Sequence, residues 1–154
     1  MRYMFSKACE YGIRAAIYIA LRSIEGQRSS LKDIAIQISS PEAFTAKILQ
    51  QLVRSGIIQS AKGPAGGFEI PAERMEAIRL SHIVAAIDGD SIYKGCGLGL
   101  KECSEKKPCP MHHQFKEVRE GLRKMLENTS IYELSQGLKN GHSFLRHQQE
   151  TVND

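Results

Sequence analysis

Apolar residues recur at helical spacing from the start of the chain. Ile13, Ala16, Ile17, Ala20 and Ile24 fall on one face of a helix expected to open at a Ser6 N-cap and run to about Ser23. Glu10 and Arg14 lie four apart, spaced for an exposed ion pair, and Cys9 is expected to pack as a small apolar residue. A polar turn around Gly26 follows. Ser30-Leu-Lys-Asp33 then has the shape of a capping box opening a short helix, with Leu31, Ile34, Ala35 and Ile38 inward. Ser39-Ser40-Pro41 reads as a tight turn with Ser40 as N-cap and Pro41 at the first helical position. The third helix runs to Ser55 and stops at Gly56. Its inward set is Phe44, Ile48, Leu52 and Val53, which leaves Thr45, Lys47, Gln50, Gln51 and Arg54 facing out.

Two such helices joined by a short turn suggest a helix-turn-helix. The next segment strengthens that reading. Ile57–Ser60 and Phe68–Ile70 are expected as strands around the turn Lys62-Gly-Pro-Ala-Gly-Gly67, a hairpin placed as the wing of a winged helix-turn-helix. Gly63, Gly66 and Gly67 permit positive φ and close backbone approach, and Lys62 offers a cation at the tip. Ile78–Leu80 reads as a further small strand. Ser81 is expected to cap a helix that buries Ile83, Val84 and Ile87, keeps His82 on the surface and ends at Asp88-Gly89. Farther on, Met111, Phe115, Val118, Leu122 and Met125 are spaced four, three, four, three, the seam of a coiled-coil-like helix pair, with Arg119 among the charges on its other faces. A stripe this narrow needs a partner: its own domain or, the favoured reading, the same helix of a second copy. Thr129 or Ser130 opens a last helix with Ile131, Leu134 and Leu138 inward, followed by a loosely ordered polar tail. The expected fold is therefore mainly α with a small β-hairpin. A winged helix-turn-helix spans 1–90, a cysteine-rich loop 91–110, a dimerisation helix and packing segment 111–138, and the tail 139–154.

Composition adjusts this picture only slightly. In 154 residues the hydrophobic fraction is 42%, enough for a core, and no apolar run is long enough to span a membrane. A net charge of +4 permits a nucleic-acid surface, while the absence of Trp argues against a single-strand stacking platform. The opening residues do not read as a secretion signal, so a cytoplasmic protein is expected.

The distinctive chemistry lies in the loop. Three of the four cysteines, Cys96, Cys103 and Cys109, fall at C-x6-C-x5-C, with His112 three residues beyond. Soft sulfur donors crowded together suggest an iron–sulfur cluster or another metal site. The spacing departs from the close cysteine pairs of common zinc sites, and three cysteines leave one unpaired in any disulfide. Zinc, a redox-sensing thiol group with its pKa lowered by Lys101, Lys106 and Lys107, and inert cysteines remain as alternatives. Without a C-x-x-C, a nucleotide-binding glycine pattern or an evident triad, nothing supports an enzyme.

Three stretches carry a family resemblance: Phe5-Ser-Lys-Ala-Cys-Glu-Tyr-Gly-Ile-Arg-Ala15, Ser60-Ala-Lys-Gly-Pro-Ala-Gly-Gly-Phe68, and the three-cysteine loop leading into a long helix. In this order they resemble the Rrf-type (IscR/NsrR/RirA-like) winged-helix transcription regulators over about residues 3 to 136. The resemblance implies a homodimer on a partly palindromic double-stranded operator, controlled by an iron–sulfur cluster of [2Fe–2S] or [4Fe–4S] type that senses redox state, nitric oxide or iron and cluster supply. It assigns Cys96, Cys103 and Cys109 as cluster cysteines, although the first gap holds six residues where cluster-binding members usually have five. His112 matches the fourth ligand of IscR-like members, Glu10 matches the acidic ligand that NsrR-like members donate from the other subunit, and His113 is a third, weaker candidate. Thr45, Lys47, Gln50, Gln51 and Arg54 become candidates for groove contacts, Lys62, Gly63, Gly66 and Gly67 for wing contacts, and Ser30, Lys32 and Ser40 for phosphate contacts.

Overall fold

The structure, a computed structural model, describes residues 4–146. It is mainly helical with one two-stranded hairpin, a winged helix-turn-helix. Helix α1 (Lys7–Ile24) is the central element, touching α2 (Leu31–Gln37), α3 (Glu42–Arg54), α4 (Leu80–Asp88) and α7 (Ile131–Lys139). Because neighbours surround it, its buried face is Cys9, Gly12, Ala15, Ala16, Ile19 and Ala20, whereas the expected Ile13, Ile17 and Ile24 are half-buried against the rim of the core. Ser6 caps α1 as expected, accepting from the Cys9 amide at 3.0 Å. Its own amide donates to Asp88 Oδ2 at 2.9 Å, tying the start of α1 to the end of α4. The expected Glu10–Arg14 pair does not form. Glu10 pairs with Lys7 at 3.5 Å, and Arg14 donates to the Ile38 carbonyl at 3.2 Å, anchoring α1 to the end of α2.

Ser30 caps α2 through the Asp33 amide at 3.1 Å. Ser40 does not cap α3. Pro41 occupies that position and Ser40 is buried in the turn. The hairpin pairs β1 (Gln59–Ala61) with β2 (Gly67–Glu69) antiparallel, Ser60 opposite Phe68. The first strand starts later and is shorter than expected, because Ile57 and Ile58 turn into the core directly after α3, and the second is shifted one residue toward the turn. Ser29, in the α1–α2 connection, adds a bridge to Phe68 with reciprocal bonds of 3.0 and 2.8 Å.

A 3₁₀ turn (Ala72–Arg74) leads to α4, which begins at Leu80 rather than at a Ser81 cap. Its start is fixed from a distance: Leu80 N donates to Thr129 O at 3.0 Å and Ile131 N to Ile78 O at 2.8 Å, so Arg79 bridges Ser130 instead of forming a strand. The short α5 (Ser91–Lys94), the cysteine loop and the long α6 (His112–Asn128) follow. Ser130 then caps α7 through the Glu133 amide at 3.1 Å, and α7 packs back along α1. Part of the expected tail, residues 147–154, lies outside the described residues.

Candidate functional site

The first candidate surface is built on α3. Ile48, Leu49 and Leu52 bury one face of this helix, which fixes the opposite face outward, with Lys47, Gln50 and Arg54 exposed and Gln51 half-buried. Thr45 does not belong there. It is 0% exposed, and its hydroxyl donates to the Pro41 carbonyl at 2.9 Å. A hydroxyl satisfied by its own helix can be buried at little cost, so a polar residue type here does not mean a polar face. Ser40, buried at the turn, is likewise not an open phosphate contact, and the Ser30 hydroxyl is engaged as a cap on an exposed residue.

Lys32 on α2 and Lys62 at the hairpin tip are exposed, and among the described residues neither they nor Lys47 nor Arg54 is held in an ion pair. Two of the tip glycines are required by the hairpin itself. Gly67 has φ +138°, and a side chain there would stand 2.7 Å from the Ser29 carbonyl oxygen, while one at Gly66 would meet the Ala61 carbonyl oxygen at 2.2 Å. Gly63 stands exposed with open space around it.

The second candidate centre is the cysteine loop. Its three thiols are free and half-exposed. Cys103 Sγ lies 3.3 Å from His112 Nδ1. His112 is only 3% exposed, and its other ring nitrogen, Nε2, is buried without a partner. The Leu98 amide points at Cys96 Sγ from 3.4 Å. It and the Leu100 amide are the leading causes holding the Cys96 thiol below its ordinary range, with a smaller contribution from the Cys109 side chain. Backbone N–H groups turned on a sulfur stabilise the thiolate, the form that binds metal. The donor set of three accessible thiols and one imidazole therefore fits a soft metal or an iron–sulfur cluster. The donors stand apart from one another as the pairs Cys103–His112 and Cys96–Cys109, and no three such side chains converge among the described residues. Glu10, paired with Lys7 on α1, joins no such group among the described residues.

The loop is fastened to α6. A side chain at Gly97 would stand 2.4 Å from Met111 Cε and 2.9 Å from Phe115 Cγ, so the glycine allows the loop to lie flat on the helix. Arg119 donates to the Gly95 carbonyl at 2.8 Å, one residue before Cys96, and Lys116 pairs with Glu105. Arg119 is 9% exposed with its Nε buried and unpartnered, so it is not one of the outward charges expected from the sequence. The spacing held the clue: His112, Arg119 and Leu126 are seven apart and form the buried stripe of α6. Of the expected seam, Met111, Phe115 and Leu122 are half-buried against their own chain, while Val118 is 66% and Met125 48% exposed.

The model of the Rrf2 family, described as "Iron-dependent Transcriptional regulator", matches residues 5–137. The chain is similar to an Aquifex aeolicus protein named provisionally as an HTH-type transcriptional regulator, with 29% identity over 133 residues, 85% of this chain and 90% of the relative. It is also similar to the HTH-type transcriptional regulator IscR of Erwinia tasmaniensis, with 25% identity over 124 residues, 80% of this chain and 73% of the relative. Among solved structures it shares the fold of CymR, the global cysteine regulator of B. subtilis, at a TM-score of 0.70 and 20% identity over 88% of this chain and 98% of that one.

Proposed function

Since the chain belongs to the Rrf2 family and is a DNA-binding transcription regulator rather than an enzyme, we propose that it acts as a homodimer whose operator affinity is controlled by an iron–sulfur cluster. Each copy inserts α3 into the major groove, with Lys47, Gln50, Gln51 and Arg54 toward base edges and phosphates. Lys62 and the hairpin tip follow the backbone or the minor groove beside it. Val118 and Met125 of α6 meet their counterparts in the second copy.

Cys96, Cys103 and Cys109 would hold the cluster, with His112 or, from the other subunit, Glu10 as fourth ligand. When bound, the cluster supplies a centre whose oxidation state and ligation respond to redox state, nitric oxide or iron supply. The chain's own part is transmission. A shift of Cys96 moves Gly95 and Gly97, and these bear on Arg119, Met111 and Phe115 of the helix that carries the seam. A change in the pairing of α6 helices alters the distance between the two α3 helices, and a palindrome is matched at only one such distance.

The observation that carries this reading is the set of three accessible thiols and a buried imidazole, clamped directly onto α6. The amide-stabilised Cys96 thiol also favours a second reading, a cluster-free regulator switched by cysteine oxidation. Iron and sulfide assays on anaerobically purified protein separate the two. Iron with matching sulfide, lost in Cys103→Ala, supports the cluster, and His112→Ala and Glu10→Ala then identify the fourth ligand. Colourless protein without iron after reconstitution sinks the cluster and leaves the thiol switch.

A further inference from the structure

The hairpin tip is held by a residue that does not belong to it. Arg28, in the connection between α1 and α2, reaches across the chain to two places on the hairpin. Its Nε lies 3.2 Å and its Nη2 3.4 Å from the two carboxylate oxygens of Glu69 on β2. Its Nη1 donates to the Ala65 carbonyl in the turn, at 3.2 Å. One planar guanidinium thus ties the outgoing strand and the tip to a single point on the helical body, a geometry that requires the fixed fork of arginine.

Three further bonds join the end of α1 and the same connection to β2 and the residue after it. Ser29 exchanges backbone bonds with Phe68, and the Ser23 hydroxyl accepts from the Ile70 amide at 3.0 Å. Those bonds fix the base of β2, whereas Arg28 is the contact that extends to the tip. Arg28 and Glu69 line an open groove of about 510 Å³ between the connection and the turn, so without this contact the tip has room to tilt.

We propose that Arg28 is a positioning residue for operator binding: with Glu69 it presets the angle of the wing so that Lys62 and the tip arrive already aligned with the DNA backbone. Its charge is neutralised locally by Glu69, so Arg28 itself contributes no phosphate contact. Preorganisation of this kind raises affinity by removing an ordering cost from the bound state.

The test is Arg28→Lys beside Arg28→Gln, measured by operator-binding titrations over a salt series and by amide hydrogen exchange of the free protein. A lysine keeps the charge but cannot grip both Glu69 oxygens and the Ala65 carbonyl together. We expect both variants to bind about 3- to 10-fold more weakly, with an unchanged slope of log affinity against log salt and faster exchange at Gly66 and Gly67. A lysine variant of full affinity, or a slope reduced by about 0.9 in the glutamine variant, would make Arg28 a direct phosphate ligand and overturn the proposal. Unaltered exchange at the tip would overturn it as well.

Discussion

Val118→Glu isolates the proposed dimer seam from everything else in the molecule. Val118 is 66% exposed and Met125 48% exposed, so neither is needed for the core of its own chain. Fully burying a side chain of this size stabilises by about 1.5–3 kcal/mol. Covering the exposed two-thirds of Val118 therefore gives about 1–2 kcal/mol, and covering half of Met125 gives about 0.7–1.5 kcal/mol. In a twofold interface every residue counts twice, so Val118 alone contributes about 2–4 kcal/mol to association. Glutamate removes that contribution and sets two like charges near the symmetry axis. The dimer dissociation constant should rise at least about 30-fold, read by sedimentation velocity over a concentration series. Helix content by circular dichroism should not change. Operator affinity should fall most at low protein concentration, because a single reading head engages half a palindrome. A variant that keeps the wild-type dissociation constant would show that copies of this chain do not associate through this face.

Further outcomes follow from residues whose setting is now clear. Thr45→Val should leave operator affinity within about twofold, because the side chain is buried and its hydroxyl is satisfied inside the helix, whereas Lys47→Ala in the same anisotropy assay should lower the salt slope by about 0.9. Loss of binding in the valine variant would return Thr45 to the reading face. Gly67→Ala combines a φ of +138° with a 2.7 Å approach to the Ser29 carbonyl oxygen, and should cost about 1–3 kcal/mol at the hairpin, seen as faster exchange of the Phe68 amide. Burial, reinforced by Asp88, pushes the Cys9 thiol up to about 12. It stays protonated at pH 8, so iodoacetamide followed by mass spectrometry should modify Cys96, Cys103 and Cys109 of metal-free protein and spare Cys9. Prompt labelling of Cys9 would mean that the α1–α4 contact opens readily.

What could be read from the sequence was what short-range chemistry decides. Ser6, Ser30 and Ser130 cap helices because the donor lies three residues away in the same segment. The hairpin could be read because glycine is the residue its turn requires. Errors arose where a distant partner won. Arg14 leaves Glu10 for the carbonyl of Ile38, and Ser81 loses the start of α4 to the backbone bonds that tie Arg79 and Leu80 to the α6–α7 junction. Helix α1 has neighbours on several sides, so a single apolar stripe understates its burial and misses Ile19. The charge of Arg119 points it to solvent, yet the carbonyl of Gly95 draws it beneath the cysteine loop. The cysteine residues themselves were evident from composition, but their fastening to α6 through Gly97 and Arg119 needed the fold.

The central claim is that occupancy of the loop sets operator affinity. Its most direct test is operator affinity measured anaerobically on one preparation before and after its iron is removed by a chelator. The predicted result is a change of about 5- to 150-fold between the two states, abolished in Cys103→Ala. Equal affinity before and after iron removal, with the dimer intact, would contradict control by the cluster.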